Sequence, residues 1–155
     1  MKQLQSFVAK WGIEFPYARE ELIESSQNVF LASKEQRERL TQIPRDIFSI
    51  GLPLGGIRRG QFVPSFVLLD EIAARDVKKA ILSEKAEWLF ICGRDVFKEG
   101  VVSCNAFQGD FVIIQNTRNE CLGYGRLENG ARVFIKNLLD RGDFLRRERQ
   151  AGRQR

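Results

Sequence analysis

A chain of 155 residues, 43% hydrophobic and 29% charged, suffices for one domain or two small ones. A chain of this size buries about 70% of the surface its unfolded form exposes. No apolar run approaches the ~20 residues that cross a bilayer, and MKQLQSFVAKWGIEF lacks the continuous apolar stretch of a signal peptide. The formal charge of +5 is confined to Arg132–Arg155, which holds eight basic and three acidic groups, while the first 131 residues hold seventeen of each. No histidine is present, so Ser-His-Asp and Cys-His catalysis are excluded.

Leu4, Phe7, Val8 and Trp11 recur at the spacing of one face of a short helix. Asn28–Ala32 (NVFLA) reads as a strand, and Ser33-x-x-Gln36 is a capping box opening a charged helix through Leu40. Asp46–Ile50 is expected to be a strand, and Gly51-Leu-Pro-Leu-Gly-Gly one or more turns. Phe62–Leu69 is apolar and β-rich, with Pro64 making it an edge or bent strand. Asp70 then reads as the N-cap of a helix towards Leu82, its inner face Ile72, Ala73, Val77, Ala80 and Ile81. The charged Ser83-Glu84-Lys85 marks a domain boundary, giving an α+β domain over residues 1–85 with an antiparallel sheet and helices.

Over residues 86–155 the elements shorten. Glu87–Cys92 reads as a strand, Gly93–Lys98 as a helical turn stopped by Gly100, and Val101–Phe107 and Phe111–Gln115 as strands. Asn129-Gly130 predicts a type I′ hairpin pairing Cys121–Leu127 with Ala131–Ile135. Strands at this density predict a closed or nearly closed barrel. Gly123 and Gly125 leave one strand face bare, for close approach of either a backbone or a ligand. Cys92, Cys104 and Cys121 form no C-x-x-C pair and are expected to be buried, reduced thiols, with neither metal nor cofactor bound. Adjacent acids such as Glu20-Glu21 and Asp70-Glu71 suit solvated helix faces, so no catalytic residue is assigned.

Charge gathered at one end is the footprint of a polyanion such as a nucleic acid, and equally the composition of a solvated tail. Arginine favours the first reading, because guanidinium groups grip phosphate bidentately and stack on bases.

The set GRDVFKEGV (Gly93–Val101), GDFVIIQ (Gly109–Gln115) and LGYGRL (Leu122–Leu127) resembles the PUA domain, the module named for pseudouridine synthases and archaeosine transglycosylases. With NVFLAS, SIGLPLGGIRRGQF, FVLLDEIA and LLDRGDFLRRE in the same order, most of the chain resembles the Nip-seven family of large-subunit ribosome biogenesis factors. That resemblance implies an α+β domain followed by a PUA-like mixed β pseudo-barrel. It implies a non-catalytic factor in pre-rRNA processing that binds single-stranded, uridine-rich RNA, with other assembly proteins contacting its first domain. The alternative is an accessory subunit of an RNA-modifying enzyme. The family's RNA-binding arginines fall on Arg146 and Arg147; Arg149 follows in the run, and Lys136, Arg132 and Arg153 complete the expected basic face. Tyr124 and Phe144 are the stacking candidates, each also readable as a core residue. Neither a membrane nor a small-molecule substrate is expected. Compact length and an arginine- and glutamate-rich surface suit an archaeal, cytoplasmic protein.

Overall fold

The computed structural model describes residues 1–43, 48–128, 130 and 132–146. Two compact units divide the chain, Met1–Ile72 and Ala73–Arg155.

In the first unit, helix α1 (Lys2–Ala9) precedes strands β1 (Leu22–Ser25) and β2 (Asn28–Leu31), helix α2 (Lys34–Leu40), strands β3 (Leu52–Arg58) and β4 (Gln61–Pro64), and helix α3 (Phe66–Ala73). The sheet runs β1-β2-β3-β4, antiparallel throughout. The apolar face of α1 is buried at Leu4, Phe7 and Val8, and Phe7 packs on Phe62 of β4 with ring centroids 5.5 Å apart. Ser33 caps α2 as expected: its Oγ accepts from Gln36 N at 3.3 Å, and Gln36 Oε1 accepts from Ser33 N at 2.9 Å.

Two expectations fail here for identifiable reasons. The glycines and proline of Leu52–Arg58 do not break the chain; they sit in β3, the strand paired on both sides. Val29 opposes Gly55 and Phe30 opposes Pro53, so Leu54 is a bulge residue, fully buried. Proline is tolerated beside such a bulge, where the ladder is already interrupted. The second failure is the strand expected through Leu69, which ends at Pro64. Ser65 Oγ accepts from Leu68 N at 3.2 Å, so α3 starts four residues before the expected cap at Asp70 and stops at Ala73. Of the strand expected at Asp46–Ile50, residues 46 and 47 lie outside the described set and 48–50 are not in a strand.

The second unit comprises β5 (Lys79–Leu82), α4 (Glu84–Ile91), β6 (Val101–Cys104), β7 (Phe111–Gln115), β8 (Cys121–Leu127) and β9 (Ile135–Asp140). The sheet order is β6-β5-β7-β8-β9, with β5 and β7 parallel and every other pair antiparallel. A bridge between Val96 and Ile135 ties the loop after α4 to β9. Ala80, Leu82, Phe90, Val112, Ile114 and Ile135 are central to its core. The overall plan, an antiparallel sheet with helices followed by a mixed β unit, matches the expected α+β class.

The boundary expected after Lys85 moves upstream, because Lys79–Leu82 is not the end of a helix but a strand hydrogen-bonded between β6 and β7. Glu87–Cys92 is helical rather than extended. Ser83 Oγ accepts from Ala86 N at 3.4 Å, and Glu84 and Glu87 sit in the first turn where the helix dipole favours acids. The hairpin after β8 is also longer than the two-residue turn expected. β8 pairs with Ile135–Asp140, Leu127 facing Ile135, and Asn129 and Ala131 lie outside the described residues. The bare face at Gly123 and Gly125 is explained by backbone: a Cβ on Gly123 would collide with the Leu139 carbonyl oxygen, and one on Gly125 would stand 2.5 Å from that of Lys136. The thiols divide, Cys121 being buried, Cys104 half-buried and Cys92 exposed, which corrects the expectation of three buried cysteines.

Candidate nucleic-acid interface

The end of α4 and the segment after β9 are built around one buried carboxylate. Asp140 is 2% exposed and, among the described residues, accepts four hydrogen bonds. Arg146 Nη1 donates to its Oδ1 at 2.9 Å and Nη2 to its Oδ2 at 2.6 Å. Asn137 Nδ2 donates to Oδ2 at 3.1 Å, and Gly142 N to Oδ1 at 2.9 Å. The same side chains reach carbonyls of the last turn of α4, where intrahelical donors run out. Asn137 Nδ2 donates to Phe90 O at 2.9 Å, and Arg146 Nη1 to Ile91 O at 2.5 Å. A cation at that end also complements the helix dipole. Gly142 is required by the approach, since a Cβ there would strike the Ile91 carbonyl oxygen, and a Cβ on Gly93 would stand 3.0 Å from Arg146 Cζ.

Arg146, foremost of the expected RNA contacts, is therefore engaged inside the protein, with its side chain 35% exposed. Its hydrogen bonds to Asp140, reinforced by the charges of Asp140 and Asp143, raise its guanidinium above the ordinary arginine range against the opposing effect of desolvation. The others are placed apart. Lys136 is exposed on β9 opposite Arg126 of β8, in a row that continues to Phe111 of β7. Arg126 is paired in turn with Glu128 at 2.8 Å. Successive strand residues point to opposite faces, so Lys136 points away from Asn137 and the end of α4. Arg132 is exposed in the loop before β9. Arg147, Arg149 and Arg153 lie outside the described residues.

What the sequence reading missed is aromatic. With α4 helical, Lys85, Trp88, Leu89 and Cys92 form one stripe at i, i+3, i+4 and i+7, and every member is exposed. Trp88 is 67% exposed, Phe97 51% and Phe144 68%. Lys85, Leu89 and Phe97 border a cleft of about 200 Å³, with Ser83 and Asp95 supplying polar atoms. Arg94, between the stripe and Phe97 in sequence, is exposed. The signal was available: Ser83 followed by Glu84 and Glu87 is a helix start, and the following residues show no alternation. Of the two stacking candidates read from sequence, Phe144 is exposed rather than core, whereas Tyr124 is half-buried beside Phe111 at 6.4 Å, its phenol pushed up by burial.

The mixed five-stranded sheet carrying one capped helix is, in fold, a PUA-type unit. Residues 78–149 match the family model described as the UPF0113 PUA domain. A UPF0113 protein of Archaeoglobus fulgidus is 32% identical over 78 residues, 44% of this chain and 45% of the relative. One from Aeropyrum pernix is 33% identical over 104 residues, 64% and 58% respectively. The chain thus spans about half the length of the curated relatives it matches. The solved structure of a conserved PUA domain protein from Thermoplasma acidophilum covers 95% of this chain and 92% of its own, with TM-score 0.55 and 18% identity, a likeness of fold.

Proposed function

We propose that the protein is a non-catalytic RNA-binding factor in large-subunit ribosome assembly. Single-stranded, uridine-rich pre-rRNA is its ligand, and its second unit makes the main contact. The observation that carries the reading is that Trp88, Phe97 and Phe144 stand in solvent on a PUA-type fold, in the unit that holds the whole net charge of +5. Unpaired bases stack on such rings without needing a particular hydrogen-bond pattern, and flanking cations follow the phosphates. Trp88, Phe97 and Phe144 supply ring faces. Arg94, Lys136, Arg132 and the run Arg147, Arg149 and Arg153 supply charge, while Arg146 braces the segment that precedes the run. The ribosomal part of the reading rests on the ordered resemblance to the Nip-seven family. Other assembly proteins are the proposed partners of the first unit, and the cytoplasm the proposed compartment.

Trp11 is buried and Trp88 exposed, so RNA stacking should quench chiefly one of the two tryptophans. Titration with a uridine-rich oligonucleotide should quench emission, and Trp88→Phe should abolish the quench while retaining part of the affinity. Wild-type emission and anisotropy that do not respond to the oligonucleotide would reject RNA binding. Recovery of the protein with large-subunit precursor particles in a nuclease-sensitive manner tests the assembly role.

A further inference from the structure

The motif GIRRGQF lies outside the PUA match, and its place in the first unit is well defined. Arg58 of β3 opposes Gln61 of β4, so Arg59 and Gly60 alone form the turn. Both have positive φ, 50° and 77°, the combination of a type I′ hairpin. Its first position favours Gly, which has no Cβ, and Asn or Asp, whose short polar side chains tolerate the left-handed region; other residues are strained there. Arginine at the tip therefore works against the local backbone. Nothing lies within 4 Å of where a Gly60 Cβ would stand, so the tip projects into solvent.

The neighbouring guanidinium has a seat. Arg58 Nη2 donates to Asn28 Oδ1 at 3.2 Å and Nη1 to Ile57 O at 3.0 Å. Gly56 makes the room, since a Cβ there would stand 3.1 Å from Arg58 Nη1 and would collide with Asn28 Oδ1. Asn28 is neutral, so it orients the guanidinium without cancelling its charge. Among the described residues no carboxylate lies within ion-pair distance of Arg58 or Arg59, and the nearby Glu24 is taken by the Met1 amine. Gln3 Nε2 donates to Gly60 O at 3.3 Å, which sets α1 beside the tip. A cleft of about 360 Å³ at the base of the hairpin is bordered by Lys2, Gln3, Asn28 and Ile57.

We infer that the Arg58–Arg59 hairpin tip is a second RNA contact, in which two uncompensated guanidinium groups grip backbone phosphates of the strand held by the PUA unit. The first unit is neutral overall, so the attraction is local to this tip. A strand already bound by the other unit presents phosphates at high effective concentration, which makes a weak second contact sufficient. The inference rests on the RNA-binding reading proposed above. It adds a phosphate-gripping role to a unit otherwise expected to meet proteins.

Arg59→Gly separates charge from fold, because glycine fits the positive φ better than arginine does. With a long uridine-rich RNA, the variant should melt no lower than wild type. Its plot of log affinity against log salt should flatten by about 0.7, with a similar increment when Arg58→Ala is added. Arg59→Lys, which keeps the charge, should bind as wild type does. In amide spectra of the labelled protein the same RNA should shift the Gly60 signal, whereas a glutamate-rich peptide should not. A Gly60 signal that moves with the peptide and not with RNA overturns the inference in favour of an acidic protein partner. An unchanged salt slope in Arg58→Ala/Arg59→Gly, with wild type binding RNA, overturns the inference alone. Failure of wild type to bind RNA overturns both readings.

Discussion

Replacing Arg146 by alanine distinguishes a brace from a simple RNA ligand. The substitution leaves Asp140, 2% exposed, with the Asn137 and Gly142 donors but without its bidentate cation. It also strips the Ile91 carbonyl of its partner. Removing one member of a fully buried pair costs about 3–5 kcal/mol. The side chain of Arg146 is 35% exposed, so water partly replaces it, and about 2 kcal/mol is the better expectation. For a unit of this size that corresponds to a fall of roughly 8–16 °C in its melting temperature. Calorimetry without any RNA is the assay. Arg146→Lys should recover little, because an ammonium group cannot span both Asp140 oxygens and the helix carbonyl. Asp140→Asn/Arg146→Ala should cost less than the two single changes combined, since the pair acts as one. An Arg146→Ala protein that melts within about 2 °C of wild type would refute the brace.

Other outcomes follow from single contacts. Trp88→Ala on the exposed face of α4 should leave the melting temperature nearly unchanged and weaken uridine-rich RNA by about 1–3 kcal/mol, read by anisotropy. Gly123→Ala forces a Cβ into the Leu139 carbonyl at φ 150°, and chemical denaturation should register a loss of about 3 kcal/mol. Asp110 is held below its ordinary range first by its hydrogen bond from Lys78 and then by the Phe107 amide. A depressed carboxylate stabilises the fold above its unfolded pKa and loses that contribution as pH falls through the folded one. Asp110→Asn should therefore lower the melting temperature slightly at neutral pH, with the difference closing as pH falls below the ordinary aspartate range.

Elements whose signals are local were legible from sequence. The capping box at Ser33, the spacing of Leu4, Phe7 and Val8, and the apolar Phe111–Gln115 each carry their own explanation. Misreadings arose where a neighbour decides the outcome. Leu52–Arg58 looks like a turn until β2 and β4 lie on either side of it, and Lys79–Leu82 continues a helical pattern unless β7, some thirty residues later, is available to pair. α4 was lost because Trp88, Leu89, Phe90 and Ile91 form an unbroken apolar run whose outer half is exposed, against the usual rule for such residues. That exposure is also the main clue to the site. The tail arginines were visible as charge, but composition gives no hint that Arg146 turns inward to Asp140.

The parallel pairing of β5 with β7 bears on the order in which the chain assembles. Both sheet neighbours of β5 are synthesised after it, so Ala80 and Leu82, fully buried at the end, have no sheet to join as they emerge. Closure must wait for α4, β6 and the loop beyond to be made, and non-local parallel contacts are slow to form. A nascent chain halted before Phe111 would therefore leave β5 with β6 as its one available partner and its β7 edge open to a chaperone or to another copy of itself.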